Sequence, residues 1–304
     1  MATRRLAAAA AVVLAALAGP VLVGGCGGPT ATTVRKLIYC HNGSTVQTMT
    51  VFEPTPAPTV AVPAVMDVHG GGWVTGDARL IPGTVDDQVK AALVDLGWVF
   101  VSIDYRLAPA YKWPAQIDDA KCAVRYLRAH AATLHVDPHR IGAIGASAGG
   151  HLAAMLGLAG PTAGFDVGTN LDQSSAVDAV VDEYGPTDLE APSWDASEVA
   201  PQVTSEVFGV PLGQPSPVLA GASPVTYVTS GAPPFLVVHG ADDVVVLPAQ
   251  SEELIRRLHA AGDPATLLMV ANAGHGLLPT GDRPLDPTQQ DVVDDVTAFF
   301  EREL

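Results

Sequence analysis

The stretch Arg140-Ile-Gly-Ala-Ile-Gly-Ala-Ser-Ala-Gly149 decides the fold of this chain. Its first half is apolar enough for a buried strand, and its second half is a turn of small residues with Ser147 at the apex. The residues that follow, Gly150-His-Leu-Ala-Ala-Met-Leu156, have the composition of a buried helix. Because only small neighbours let strand and helix meet so closely, the serine is held in a strained conformation with its hydroxyl exposed. The pattern is typical of a nucleophile elbow.

A nucleophilic serine requires an oxyanion loop, an acid and a histidine. The expected order along the chain is an oxyanion loop before the serine, then an acid and then a histidine after it, and all three are found in that order after apolar segments. His69-Gly-Gly-Gly-Trp73 follows strand-like residues 60–68, and its glycines allow main-chain N–H groups to face a developing oxyanion. The next such segment, 233–239, leads to Asp242 and Asp243, and a further one leads to His275. Since catalytic groups lie at the carboxyl ends of strands in open α/β sheets, we predict one site there. The residues alone leave Asp242 and Asp243 as alternative acids.

Each of these matches is weak when taken alone. A Gly-x-Ser-x-Gly pattern arises by chance, and a glycine-rich loop can hold phosphate, although no lysine follows here at the required spacing. The aspartates and His275 could equally belong to ordinary turns. Their order along the chain, each at the end of a strand, favours the catalytic interpretation.

The other histidines do not suggest catalysis or metal binding. We expect His239, at the end of a buried strand, to make local hydrogen bonds, and His151, in the helix behind the serine, to be structural. His135 and His139 have a metal-like spacing, but Pro138 interrupts the helix that would align them. We therefore predict no metal site and no cofactor.

The composition indicates a single large and acidic unit. The chain has 304 residues, 48% of them hydrophobic, which is sufficient for a large core, and its net charge is −16. Such a charge argues against nucleic acids, polyanionic substrates and anionic lipid head groups as partners. The sequence does not determine the oligomeric state.

The N-terminus has the features of an export signal. A cationic pair, Arg4-Arg5, precedes an apolar run over residues 6–18 that is too short for a comfortable membrane span. Val23-Gly-Gly-Cys26 is similar to a bacterial lipobox, which is cut before a cysteine that is then lipid-modified. We predict a signal peptide over 1–25, a flexible tether over 26–34, and a lipid anchor at Cys26 on the outer face of the cytoplasmic membrane. The alternative is an ordinary secretory signal and a soluble secreted protein.

Two further cysteines allow two interpretations. Cys40 lies in the first predicted strand and Cys122 in a predicted helix. In an exported protein they can form a disulfide, but free cysteines also pack as small buried hydrophobic residues. The sequence leaves both possibilities open.

Periodicity along the rest of the chain predicts alternating strands and helices. The predicted strands are 34–40, 46–52, 60–68, 98–103, 140–144, 176–184, 234–239 and 265–270. The predicted helices are 85–96, 114–134, 150–156, 248–261 and 287–302. Such alternation indicates a mostly parallel sheet covered on both faces. Residues 186–230 are rich in loops and lack a long period, which indicates a small lid inserted over the site.

Several motifs give the chain a family resemblance over essentially all of residues 35–304. It resembles the α/β-hydrolase superfamily, and within it bacterial carboxylesterases similar to feruloyl esterases and hormone-sensitive lipase. The motifs are His69-Gly-Gly-Gly-Trp73, Asp104-Tyr-Arg106, Pro114-Ala-Gln-Ile-Asp-Asp119, Asp137-Pro-His-Arg-Ile-Gly142, Ser147-Ala-Gly-Gly150, Gly185-Pro-Thr-Asp188 and His239-Gly-Ala-Asp-Asp243.

The resemblance implies an α/β-hydrolase fold with about eight strands and assigns a role to each site residue. Ser147 would be the nucleophile, His275 the general base and Asp243, the fifth residue of the His-Gly-x-x-Asp stretch, the acid. The main-chain N–H groups of Gly71, Gly72 and Ala148 would form the oxyanion hole.

The activity that we expect is hydrolysis of a small-molecule carboxylic ester through an acyl-enzyme, without a cofactor. One alternative is an amidase, formamidase or peptidase that uses the same triad, because related folds cleave amides with the same groups. A more remote alternative is a non-catalytic surface binding module. The sequence does not identify the substrate.

Overall fold

An eight-stranded sheet forms the centre of the protein in the computed structural model, which describes residues 30–304. The strands are β1 (Ala31–Asn42), β2 (Thr45–Thr55), β3 (Val62–Val68), β4 (Val99–Ile103), β5 (Val136–Ala146), β6 (Ala179–Glu183), β7 (Phe235–Gly240) and β8 (Ala265–Val270). Their order in the sheet is β1-β2-β4-β3-β5-β6-β7-β8. β2 pairs antiparallel with β1 and with β4, and every other neighbouring pair is parallel. This arrangement confirms the predicted fold class.

Five long helices cover the two faces of the sheet. They are α1 (Val85–Asp95), α2 (Ala115–Ala129), α3 (Ala148–Leu158), α7 (Ala249–Ala261) and α8 (Gln289–Glu303). Helices α2, α3 and α7 pack on one face, and α1 and α8 pack on the other. Because successive strand side chains point to opposite faces, Ala143 joins the first core and Ile144 the second. Both faces are therefore apolar, as a parallel sheet requires.

Helix α2 is shorter than the sequence indicated. The apolar period predicted a helix to about Leu134, but α2 ends at Ala129 and the chain turns through residues 130–135. His135 has a positive φ of 56°, and the next residue, Val136, already pairs with Val62 of β3. Pairing with the sheet therefore overrides the helical pattern in the last turn.

The first strand begins earlier than the boundary expected at residue 35. Residues 31–34 were expected in the tether, but they form the start of β1 because they pair with residues 52–55 of β2. The remainder of the tether, the predicted signal peptide and Cys26 lie outside the described residues. Within residues 30–304, no helix has the length and apolar character of a membrane span.

The two cysteines left open by the sequence form a disulfide. Cys40 on β1 and Cys122 on α2 are fully buried, and their Cα atoms are 6.0 Å apart. The bond fastens the outermost strand of the sheet to a helix of the core.

The segment between β6 and β7 contains only short helical elements. We call residues 186–230 the insertion; its α-helices are α4 (Pro192–Asp195), α5 (Ala200–Val203) and α6 (Pro217–Ala222). A single turn of π-helix over Thr204–Phe208 continues α5, and a 3₁₀ turn follows α6 at Pro224–Tyr227.

Candidate active site

The turn between β5 and α3 has the geometry of a nucleophile elbow. Ser147 has φ 57° and ψ −117°, a combination that side-chain-bearing residues rarely adopt. Its N–H donates to the carbonyl of Glu183 at 2.7 Å, which ties the turn to β6. A Cβ on Gly145 would lie only 2.5 Å from the carbonyl carbon of Gly149. The close contact of these two backbones is the physical reason for the small residues on either side of the serine.

Loops from three strands bring Ser147, His275 and Asp243 into one hydrogen-bonded chain. His275 Nε2 lies 2.9 Å from Ser147 Oγ, and His275 Nδ1 lies 2.7 Å from Asp243 Oδ2. The acid is fully buried, whereas about a quarter of the His275 side chain is exposed. The histidine therefore contacts the acid in the interior and the serine at an accessible edge.

Main-chain donors and two histidines hold the carboxylate of Asp243. Its Oδ1 accepts the N–H groups of Val245 at 2.8 Å and Val246 at 3.0 Å. Burial alone would raise the pKa of Asp243, but contacts with His239 and His275 and the N–H of Val246 outweigh it. The pKa of Asp243 is therefore well below its ordinary value.

The neighbouring carboxylate, Asp242, faces away from the histidine. It is exposed, and its Oδ2 accepts a hydrogen bond from Thr280 Oγ1 at 2.7 Å. Geometry thus separates the two aspartates that the residues alone could not distinguish.

The glycine loop after β3 lies beside the serine. A Cβ on Gly70 would be 3.6 Å from the Cβ of Ser147. Gly71 and Gly72 have φ values of 102° and 61°, so the loop uses conformations that favour glycine. Within residues 30–304, the N–H groups of Gly71, Gly72 and Ala148 donate no hydrogen bond. These unpaired donors next to Ser147 can bind a developing oxyanion.

Aromatic residues surround this loop. The rings of His69 and Tyr105 are stacked with centroids 4.1 Å apart, and Tyr105 Oη donates to the His69 carbonyl at 2.9 Å. Trp73 is buried edge-on against His151, at 4.9 Å, and against Phe208 of the insertion, at 5.6 Å. The loop is therefore fixed on both sides.

The structure gives the other histidines specific partners. His151 is fully buried and bonds through Nε2 to the carbonyl of Ala222 at 2.7 Å, and burial lowers its pKa to about 4. His239 makes local bonds as expected, but it also approaches Asp243, which the sequence did not indicate. Among the described residues, no cluster of His, Cys, Asp or Glu side chains could hold a metal ion.

Tyr184 is a further neighbour of the site that sequence reasoning missed. Its ring packs edge-on against His275 with centroids 5.0 Å apart. It directly follows β6 and has a positive φ of 47°. Only the arrangement of β6 beside β7 brings it to the histidine, so no local motif could have identified it.

Buried carboxyl groups lie on the α1 and α8 side of this edge of the sheet. Burial raises the pKa of Asp67 and of Glu183 well above their ordinary values, and it raises that of Asp86 to about 6. Ser102 Oγ donates to Asp67 at 2.6 Å, but one oxygen each of Asp86 and Glu183 is buried without a partner among the described residues. Burial thus favours the protonated forms of these groups.

The insertion covers the oxyanion loop. A methyl group of Val203 lies 3.6 Å from where a Cβ of Gly72 would stand. The carbonyl of Val207 accepts the N–H of Trp113 at 3.0 Å, and Phe208 packs on Trp73. The insertion therefore lies over the loop beside Ser147, and its role as a lid stays a prediction.

Comparison with curated proteins yields mycobacterial esterases. The chain is 34% identical over 244 residues to Esterase LipC of Mycobacterium tuberculosis, which covers 80% of this chain and 59% of that protein. It is 34% identical over 209 residues to Esterase LipQ of the same organism, which covers 69% of this chain and 48% of that protein. The chain thus spans about half the length of the curated relatives it matches.

Solved structures with the same fold are also esterases by name. A truncated carbohydrate esterase from gut microbiota superposes with a TM-score of 0.75 at 28% identity, covering 91% of this chain and 98% of that one. Native esterase 2 of Thermogutta terrifontis has a TM-score of 0.68 at 23% identity, with 90% and 91% covered, and supports the fold alone.

A family model named BD-FAE matches residues 49–258. The match runs from β2 to α7, so it includes the elbow and Asp243, whereas His275 lies beyond it. Together with the eight-stranded sheet and its esterase neighbours, it establishes that the chain belongs to the BD-FAE family and has the α/β-hydrolase fold.

Proposed function

We propose that the protein hydrolyses carboxylic esters with Ser147 as nucleophile, His275 as general base and Asp243 as the acid that orients it. The observation that carries this proposal is the continuous chain from Ser147 Oγ to His275, at 2.9 Å, and on to Asp243, at 2.7 Å. The backbone bond from Ser147 N–H to the carbonyl of Glu183 fixes the turn that presents the serine to this chain.

The proposal gives each group a role that its contacts support. His275 Nε2 accepts the proton of Ser147 as its oxygen attacks the acyl carbonyl, and Nδ1–H remains bonded to ionised Asp243. The N–H groups of Gly71, Gly72 and Ala148 stabilise the tetrahedral oxyanion, each worth about 3–4 kcal/mol of barrier by analogy with measured oxyanion donors. The protonated histidine then protonates the leaving alcohol, and water hydrolyses the acyl-enzyme by the reverse sequence of proton transfers.

The names of the relatives favour an ester over an amide. LipC and LipQ are named esterases, and a solved structure that matches 91% of this chain is named a carbohydrate esterase. The triad by itself is also compatible with amide hydrolysis, which the assay below detects as a separate outcome.

The direct test is turnover of p-nitrophenyl esters of increasing acyl length beside the matching aryl amides and feruloyl esters. We expect ester hydrolysis, and we expect Ser147→Ala to reduce kcat by about 10⁴- to 10⁶-fold while folding is retained. The double variant with His275→Ala should lose little more, because the two residues act as a unit. Ser44→Ala, in the exposed turn between β1 and β2, is the matched control. Turnover by folded Ser147→Ala close to wild type would refute the proposal.

We also propose that the protein is lipid-anchored through Cys26. The support is the cationic head, the apolar run and the sequence Val23-Gly-Gly-Cys26. Two or more acyl chains on one cysteine give stable attachment, unlike a single chain. Intact-mass measurement of the membrane fraction tests this: Cys26→Ser should leave an uncut precursor or release active enzyme. A mature N-terminus elsewhere, or a mass without lipid, would indicate a secreted hydrolase.

A further inference from the structure

A second histidine approaches the acid of the proposed triad. His239 stands near the end of β7 and is fully buried, and its Nε2 lies 3.5 Å from Asp243 Oδ2, the oxygen that also binds His275. We propose that His239 and Ser251 form a positioning arm that holds Asp243 in place for His275. This inference rests on the proposed triad and adds two residues to its support.

The hydrogen bonds of His239 fix which ring nitrogen carries the proton. Nε2 lies 2.9 Å from the carbonyl oxygen of Val246, which can only accept, so Nε2 is the donor. Nδ1 lies 2.6 Å from Ser251 Oγ on α7, and in a neutral ring it must accept the serine proton. The carbonyl of Val246 therefore sets the tautomer, and Ser251 supports it by donating to Nδ1.

The arm acts on Asp243 in two ways. First, His239 anchors the carbonyl of Val246, while the N–H of Val246 donates to Asp243 Oδ1. The turn at Val246, which binds Oδ1 of Asp243, is thus held in place by a residue of β7. Second, Nε2 lies 3.5 Å from Oδ2, close enough for its N–H, which donates to Val246, to stabilise the negative charge on that oxygen. Both effects depend on the proton being at Nε2.

The other ionisable groups near the arm do not replace it. Asp182 lies on β6 and Tyr184 directly follows it, and Asp182 accepts the N–H of Gly185 at 2.8 Å. Tyr184 packs edge-on against the rings of both His239 and His275, so its contact with the arm is aromatic packing and does not replace the polar contacts of Asp243. Asp242 is engaged by Thr280.

We expect Ser251→Ala to decrease kcat about tenfold with little change in KM. The variant removes the hydrogen bond to His239 and so weakens the support of the charged Asp243. Without Ser251 Oγ the ring of His239 is held less firmly, so it stabilises the charge of Asp243 less, and Asp243 then holds the protonated form of His275 more strongly. The base is then lost by protonation at a higher pH, so the acidic limb of the kcat/KM profile moves to higher pH. His239→Leu should reduce kcat about ten- to a hundredfold. His239→Gln keeps an N–H for Val246 and should therefore recover part of that loss in kcat.

The experiment compares pH–rate profiles of folded wild type, Ser251→Ala, His239→Leu and His239→Gln on one short p-nitrophenyl ester. The far-downfield proton NMR signal of the bond between His275 and Asp243 provides a second readout, which should shift in Ser251→Ala. Ser223→Ala is the matched control: it removes an equally buried serine that bonds Leu189 and Leu219 without reaching the triad. Ser223→Ala should lower stability without moving the acidic limb.

The outcomes separate this inference from the proposed function. If Ser147→Ala is inactive but folded Ser251→Ala and His239→Leu keep the wild-type profile and NMR signal, the arm is refuted and the triad stands. An activity loss in Ser251→Ala that only follows its folded fraction, as in Ser223→Ala, also refutes it. If folded Ser147→Ala remains active, the proposed function fails independently of the arm.

Discussion

Two regions meet over Ser147 and are held together by different means. We call residues 69–72, 145–149, Asp243 and His275 the catalytic edge. Main-chain contacts build much of it: Ser147 N–H bonds Glu183, and two N–H groups hold Asp243. The insertion above it is instead fastened largely by side chains, such as Ser197 Oγ bonded to the carbonyl of Val245.

The clearest example of such a side-chain contact comes from Gln250 on α7, which holds the start of the insertion from below. Gln250 Oε1 accepts the N–H groups of Thr187 and Asp188 at 2.7 Å each, and its Nε2 donates to the Asp188 carbonyl and to Ser193. The comparison suggests that chemistry at the edge tolerates almost no change in the backbone, whereas the cover depends on a few replaceable side chains. The following predictions test that difference.

The largest effect expected from an isosteric change is at the edge itself. Asp243→Asn should reduce kcat/KM by up to about 10⁴-fold, by analogy with triad aspartates, because the amide favours the wrong histidine tautomer. Asp242→Asn should be mild, since among residues 30–304 that side chain bonds only Thr280. Steady-state kinetics of both variants decide between the two carboxylates, and the reverse ranking would assign the acid to Asp242.

A Cβ added to a glycine separates the two regions by stability. On Gly149 it would overlap the carbonyl of Val68, so Gly149→Ala should cost about 4 kcal/mol or more, or prevent folding. On Gly221, in α6 of the insertion, it would meet nothing closer than Tyr227 Oη at 4.0 Å. Gly221→Ala should be neutral or stabilise by up to about 1 kcal/mol. Urea unfolding measures the free energy of unfolding of both variants. Equal losses of stability would contradict the difference between the catalytic edge and the insertion.

The same difference explains how far the sequence could predict the structure. The elbow and the order of the site residues are local patterns, so the loops after β5, β7 and β8 that carry Ser147, Asp243 and His275 could be located from short segments. All eight strands were identified for the same reason. Contacts between distant segments left no local trace: neither Tyr184 beside His275 nor Gln250 beneath the insertion could be read from the chain. The end of α2 was misplaced because strand pairing at Val136, not helix propensity, determines it.

Releasing the insertion should affect binding more than chemistry. Gln250→Leu leaves the N–H groups of Thr187 and Asp188 without their acceptor, which should cost about 2–4 kcal/mol of stability. We expect KM for a bulky ester to rise more than kcat falls, because the catalytic edge keeps its main-chain contacts. Gln290→Leu on α8 is the control and should change neither, because in the described part of the chain this side chain bonds only Asp294. A larger fall in kcat than rise in KM would show that the cover also positions the catalytic edge.

The smallest expected effect concerns the buried carboxyl groups beside the catalytic edge. Burial raises the pKa of Asp86 to about 6, and those of Asp67 and Glu183 are raised in the same direction. Between about pH 4 and 6 the folded protein therefore keeps protons that the unfolded chain has lost, so stability decreases as the pH rises through this window. Asp86→Asn should match wild type near pH 4 and exceed it by about 1–3 kcal/mol at pH 8. Urea unfolding at both pH values measures the difference, with Asp294→Asn on exposed α8 surface as the control. A stability of Asp86→Asn that follows wild type at both pH values would mean that Asp86 is ionised at no cost in stability, and that its burial beside the catalytic edge imposes no penalty.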